Sequence, residues 1–243
     1  MTTSYDAVYQ RLMRRYGPQG WWPARGRFEV ALGAVLTQGT AWTNAARAIA
    51  VLKATRSHRA ETLARMSQQD LAQRIRPAGF HNVKAARLKA LAANWINGGG
   101  YRGLSRLPTG ELRRRLLAIH GIGRETADAI TLYAFERRIF VIDAYARRLF
   151  SRIGMIDGDE AYDTLRVSIE DEFTGGVSAC NEYHALIVEH GKTHCRATPV
   201  CRGCCLRPVC DHAAAELEAS KYAAPRDGDG DFPSSAESKP RRR

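Results

Sequence analysis

The sequence predicts an all-α protein. Apolar residues recur every three to four positions through most of the chain, no run sustains the period-2 alternation of a strand, and Gly/Pro clusters cut the pattern into helix-sized lengths. The first length is Tyr5 to Tyr16, with Val8, Leu12 and Tyr16 on one face and Arg11, Arg14 and Arg15 off it. Gly17-Pro18-Gln19-Gly20 stops it, and Trp21-Trp22-Pro23 begins an irregular aromatic segment. Phe28, Leu32, Val35 and Leu36 then fall at i, i+4, i+7 and i+8, the spacing of a buried helix. Further helices are expected around 43–54, 60–66, 68–75 and 82–97, the last aligning Leu88, Leu91, Ala92, Trp95 and Ile96. Gly98-Gly99-Gly100 ends that helix. Pro108-Thr109 opens the next, with Glu111 in its first turn and Leu112, Leu116 and Leu117 inward. From about Ala213 a short Ala/Glu stretch gives way to residues rich in Asp, Gly, Ser and Pro, ending Lys239-Pro240-Arg241-Arg242-Arg243. Residues 213–243 read as a disordered, basic-ended tail.

Composition narrows the class. At 243 residues, 44% hydrophobic and 26% charged, the chain can bury a sizeable core and is neither fibrous nor disordered as a whole. A net charge of +12, from 37 Lys+Arg against 25 Asp+Glu, points to a polyanionic partner, nucleic acid before an acidic membrane surface. No uncharged run is long and apolar enough to span a bilayer. Met1 to Asp6 leads straight into an amphipathic pattern without an apolar signal segment, so a cytoplasmic protein is expected.

Three motifs carry chemistry. In Leu117-Ala118-Ile119-His120-Gly121-Ile122-Gly123-Arg124-Glu125-Thr126-Ala127, one apolar-patterned helix runs through Gly-Ile-Gly into another. Two glycines permit a sharp turn and close approach, and the second helix's free amides suit a phosphate; an ordinary interhelical turn has the same pattern. Nineteen residues after Arg124, Asp143 follows the apolar run Phe140-Val141-Ile142 and precedes a helical pattern. That is the place of an N-cap, or of a half-buried carboxylate facing a cleft. Finally, five of the six cysteines lie between Cys195 and Cys210, spaced Cys195-x5-Cys201-x2-Cys204-x5-Cys210. A disulfide framework spreads its cysteines, whereas four thiolates in one short loop enclose zinc or a [4Fe–4S] cluster. Cys205 is then a spare and Cys180 a small buried hydrophobe.

Together these motifs resemble the helix-hairpin-helix DNA glycosylases, in their endonuclease III-like branch, over residues 5 to 212. The resemblance implies two helical domains with a cleft between them: residues 25–136 with the hairpin, and residues 1–24 plus 137–212 with the cysteine loop. It implies a [4Fe–4S] cofactor on Cys195, Cys201, Cys204 and Cys210, although the first spacing is one residue shorter than the family's usual six. It makes Asp143 the catalytic carboxylate. Strand-cleaving members carry a lysine just before the hairpin's Thr-Ala pair; here that residue is Glu125, which has no amine to form a Schiff base, so a monofunctional glycosylase is expected. Lys84 belongs to another motif and is not a substitute.

Trp21-Trp22-Pro23, with Leu36-Thr37-Gln38-Gly39-Thr40-Ala41-Trp42, resembles the 3-methyladenine glycosylases of that branch. Trp21, Trp22, Trp42 and Glu125 would then form the pocket for a flipped alkylated purine, whose positive charge an indole face attracts. For any single tryptophan, a core position is the simpler reading. By the same resemblance Gln38 fills the hole left by the flipped base, Phe80 is the apolar tip of a wedge with His81 beside it, and Gly121, Gly123 and Arg124 meet the phosphates. Arg147, Arg196, Arg202 and Arg207 are further candidates for phosphate contact. The expected partner is double-stranded DNA with a damaged base, bound by a monomer. The rivals are an endonuclease III-type enzyme for oxidised pyrimidines and a DNA-binding protein without turnover.

Overall fold

A computed structural model describes residues 3–22, 24 and 26–222. Among these residues the chain is helical, with no strand. In order the helices are α1 (Tyr5–Tyr16), α2 (Arg27–Leu36), α3 (Trp42–Ala54), α4 (Ala60–Arg65), α5 (Gln68–Arg74), α6 (His81–Asn97), α7 (Gly100–Leu104), α8 (Thr109–Leu117), α9 (Arg124–Tyr133), α10 (Ala144–Ile153), α11 (Tyr162–Glu172), α12 (Val177–Thr193) and α13 (Asp211–Tyr222). None is long and apolar enough to cross a membrane.

Local chemistry sets several starts. Ser4 accepts from the Ala7 N–H at 3.2 Å to cap α1, and Ser67 accepts from the Asp70 N–H at 3.0 Å to cap α5. Asp143 caps α10. The first part of the expected tail is helical instead, within α13. Ala213 to Ala215, Glu216 and Glu218 are strong helix formers, Ala213 is buried, and α13 packs on α10. Residues 223–243, including the basic end, lie outside the described residues, as does Pro23.

The helices pack in two groups. One gathers α3 to α8 around α2 and α9, which lie against each other; Glu29 to Leu36 of α2 and Thr126 to Tyr133 of α9 are buried throughout. The other centres on α12, which packs on α1 and α10 and also reaches α9. A helix buried on all sides must satisfy its polar residues from its neighbours. Asp128, fully buried in α9, accepts from Arg113 Nε at 2.5 Å and Nη2 at 3.2 Å. Arg113 also donates to Asp163 at 2.6 Å, and Arg166 lies 3.9 Å from Asp128, so α8, α9 and α11 share one ion network.

Burial pushes the Asp128 carboxyl pKa up, against the pull of Arg113. Arg113→Ala takes both arginine hydrogen bonds from this carboxylate, leaving it the Tyr162 hydroxyl and the more distant Arg166, and should destabilise the protein by about 3–5 kcal/mol near neutral pH. Without Arg113 the folded-state pKa lies further above the unfolded one. The loss should therefore shrink as pH falls and Asp128 takes a proton; urea unfolding at neutral and mildly acid pH measures both.

Candidate active site and nucleic-acid interface

The turn between α8 and α9 is built on one glycine rather than two. Gly121 has φ +83°, and a Cβ there would run into the Arg87 side chain. Gly123 has φ −84°, and a Cβ there meets open space. Its requirement is therefore not local strain. No side chain caps α9, so its first-turn N–H groups remain for an outside acceptor. Arg124 is exposed, but its Nε pairs with Asp163 at 2.7 Å. Arg147 likewise donates to the Gly158 carbonyl at 3.0 Å. Arg196, Arg202 and Arg207 are exposed around the cysteine loop.

Two loops lie beside that turn. Gln38 donates from Nε2 to the Gly121 carbonyl at 3.1 Å and to Thr126 Oγ1 at 2.9 Å, and accepts from Arg87 at 2.6 Å. Its amide braces the hairpin, so occupying a gap in a duplex would require three hydrogen bonds to be exchanged. Phe80 has φ +45° and is 71% exposed, an apolar tip standing near Gly39; His81, half-buried, starts α6 behind it. Below both loops lies Lys84, 1% exposed. Its ammonium donates to the Leu36 carbonyl (2.9 Å), Thr40 Oγ1 (2.8 Å) and the Ala78 carbonyl (2.8 Å). Burial, with Arg87 nearby, holds its pKa below the ordinary value. Lys84 thus fastens the Gln38 loop to the Phe80 loop. A signal existed: Lys84, Leu88, Leu91 and Trp95 share one buried stripe of α6, a position where a lysine needs a reason.

The carboxylates stand nearby. Asp143 Oδ1 accepts from the Ala146 N–H at 2.7 Å, and Oδ2 lies 3.4 Å from His184 Nε2. It is an N-cap and a half-buried carboxylate at once. Glu125 opens to solvent at its surface, yet surrounding protein and then the Asp143 charge push its pKa up.

The three tryptophans come together despite their sequence separation. Trp22 meets Trp42 edge to face at 5.2 Å and Trp21 at 6.1 Å; Trp21 meets His184 at 6.1 Å. All are half-buried against the core. Trp22 lies on α2 at Gly33, where a Cβ would come within 3.1 Å of the indole. Glu182 of α12 holds the loop before them, accepting from the Gln19 and Gly20 N–H groups at 2.7 and 2.9 Å. Lys192 stands 5.7 Å over the Trp21 ring. His184, Tyr133 and Glu182 are not singled out by the sequence, because their partners are distant along the chain.

Cys195, Cys201, Cys204 and Cys210 line one cavity with Leu149 and Ile153. Tetrahedral ligation of a single zinc at ~2.3 Å brings sulfurs to about 3.8 Å from one another. The ligand atoms that lie within 4.8 Å of one another here are those of Cys201, His212 and Glu216, His212 being part of the same cavity lining. Arg152 donates to Cys195 Sγ at 3.4 Å, and Arg148 to the Cys195 carbonyl at 2.8 Å. Cys205 stands outside the cavity lining. Cys180 is buried in α12, which pushes its thiol up to about 11.

The sequence pattern of the HhH-GPD superfamily base excision DNA repair proteins matches residues 32–173, from α2 through the hairpin and Asp143 to α11. The chain belongs to this superfamily. Within it, a protein of Methanocaldococcus jannaschii named "Putative DNA repair glycosylase" is 42% identical over 206 residues, covering 84% of this chain and 94% of its own. Endonuclease III of Sulfolobus acidocaldarius is 32% identical over 139 residues, 57% of this chain and 60% of that one. Among solved structures, the H. pylori 3-methyladenine DNA glycosylase bound to 1,N6-ethenoadenine superposes with a TM-score of 0.67 at 28% identity, covering 76% of this chain and 95% of that one. A non-covalent endonuclease III–DNA complex superposes at 0.74 over 90% of this chain and all of that one; at 20% identity it shows the shared fold.

Lys84→Ala would orphan the Leu36 carbonyl and leave the Ala78 carbonyl with Thr40 Oγ1 alone. It should cost about 2–4 kcal/mol in denaturant unfolding, from the lost charge-assisted bonds and the unpaired acceptor. A change below about 0.5 kcal/mol would mean that water replaces the ammonium without loss.

Proposed function

We propose that this glycosylase is monofunctional: it flips a damaged base from double-stranded DNA into the tryptophan cluster and hydrolyses the N-glycosidic bond, with alkylated purines as favoured substrates. The observation that carries the reading is Asp143 beside His184, whose ring in turn meets Trp21, with Glu125 rather than an amine at the hairpin position before Thr126. Asp143 then deprotonates or orients a water and stabilises the oxocarbenium-like sugar. Glu125, whose pKa the surrounding protein and then the Asp143 charge raise, faces the base as a hydrogen-bonding partner. An indole face attracts a cationic base by about 0.5–2 kcal/mol. Lys192 already lies over Trp21, so we assign this selection to Trp42.

Phe80 enters the duplex where the base leaves, with Gln38 and His81 at the same edge. Gly121, Gly123 and Arg124 bring the hairpin to the backbone phosphates. The protein acts as a monomer, and residues 25–136 and 1–24 plus 137–212 form the domains flanking the cleft. Cys195, Cys201, Cys204 and Cys210 would hold a [4Fe–4S] cluster, whose iron–thiolate bonds staple a loop without a core of its own.

Base release from a panel of lesions, with and without alkali, tests this function. Free methylated purine and alkali-dependent breaks are expected. Oxidised pyrimidines with direct nicking would make it an endonuclease III-type enzyme, and binding without release a DNA-binding protein alone. Asp143→Asn should keep DNA binding while base release falls about 100-fold, the scale of a lost general base. Borohydride should trap no enzyme–DNA adduct.

The pure protein should be yellow-brown, with broad absorption near ~400 nm from thiolate-to-iron charge transfer. Colourless protein holding one zinc per chain would overturn the cluster.

A further inference from the structure

The buried polar chain that ends on Asp143 has a direction. Tyr133 Oη lies 2.6 Å from His184 Nδ1, and the Asn181 carbonyl, at 3.4 Å, is the weaker partner for the same hydroxyl. His184 Nε2 faces Asp143 Oδ2 at 3.4 Å, is shielded from solvent and has no hydrogen bond. The neutral ring has two tautomers. If Nδ1 carried the hydrogen, a bare Nε2 lone pair would face a carboxylate, two negative ends in contact. If Tyr133 donates to Nδ1, the neutral ring carries its hydrogen on Nε2, aimed at Asp143. Burial keeps the Tyr133 hydroxyl protonated, its pKa raised well above the ordinary value. The second arrangement is therefore the stable one.

We propose that His184, its tautomer set by Tyr133, is the positioning residue of Asp143. This rests on the catalytic assignment of Asp143 made above. One carboxylate oxygen is held by the Ala146 N–H at the start of α10. The other receives the His184 Nε2–H when the 3.4 Å separation closes by a few tenths of an ångström. With both oxygens held from different helices, the carboxylate cannot rotate, and its remaining lone pairs keep one direction. Glu125 and the Trp21 edge also face this imidazole, so the same side chain borders the proposed base pocket.

Nitrogen-15 NMR of the histidine rings reads the tautomer directly. His184 should carry its hydrogen on Nε2, and Asp143→Asn and Tyr133→Phe should each shift that signal. In single-turnover base release, His184→Ala should slow the reaction about 10- to 100-fold, the usual effect of removing an orienting partner. Affinity for DNA carrying an uncleavable abasic analogue should stay unchanged. His184→Gln, which keeps an N–H near the same place, should recover most of the rate. Adding His184→Ala to Asp143→Asn should cost nothing further. An Nδ1–H tautomer, a near-normal rate in His184→Ala, or losses that multiply in the double variant would overturn the proposal. If the unmodified protein released no base from any lesion, the proposed function would fall, and the tautomer measurement would still decide His184.

Discussion

The structure depends on a helix that has no solvent-facing side. From Thr126 to Tyr133 every residue of α9 is buried, and four of these eight, Thr126, Asp128, Thr131 and Tyr133, carry polar side-chain groups. Each must find a partner inside the protein, and three partners lie on other elements. Thr126 accepts from Gln38 in the loop after α2, Asp128 from Arg113 on α8, and Tyr133 pairs with His184 on α12. Only Thr131 is satisfied within the helix, donating to the Ala127 carbonyl at 2.7 Å. Burying α9 therefore fixes the hairpin, the loop beside it and the wall behind Asp143 relative to one another.

The same logic shapes the proposed DNA-facing edge. An exposed apolar tip such as Phe80 is useful only if its base is rigid, because ordering a loose loop on binding subtracts from affinity. Lys84 and Arg87, three residues apart on α6, provide that rigidity from below. Lys84 joins Leu36, Thr40 and Ala78, while Arg87 joins Gln38 and packs under Gly121. Three chain segments that meet nowhere in sequence are thus fastened through one helix. The aromatic cluster is mounted similarly, with Glu182 gripping the loop before Trp21 and α2 offering a glycine to the Trp22 face.

Replacing an amine by a carboxylate at position 125 changes what this frame can do. In the proposed reading Glu125, whose carboxyl pKa the surrounding protein and then the Asp143 charge raise, offers the bound base a hydrogen-bonding group where an amine would attack the sugar.

The sequence does not single out α7, α11 or α12 and reads α13 as tail, but most helices up to α10, the four-cysteine loop, the Gly-x-Gly turn and the Asp143 cap were legible in it. Each rests on spacing within one or two turns of chain, and the Glu125 substitution is a matter of residue identity alone. What tertiary structure decided is which distant groups meet. Gln38 braces the hairpin, Arg124 pairs with Asp163, Lys84 binds three oxygens in place of an acid, and His184 faces Asp143 across 41 residues. Hydrophobic period specifies which face of a helix turns inward. It carries no information on where that helix crosses its neighbours, and it is the crossing of α9 with α2 and α12 that brings a buried donor to its acceptor.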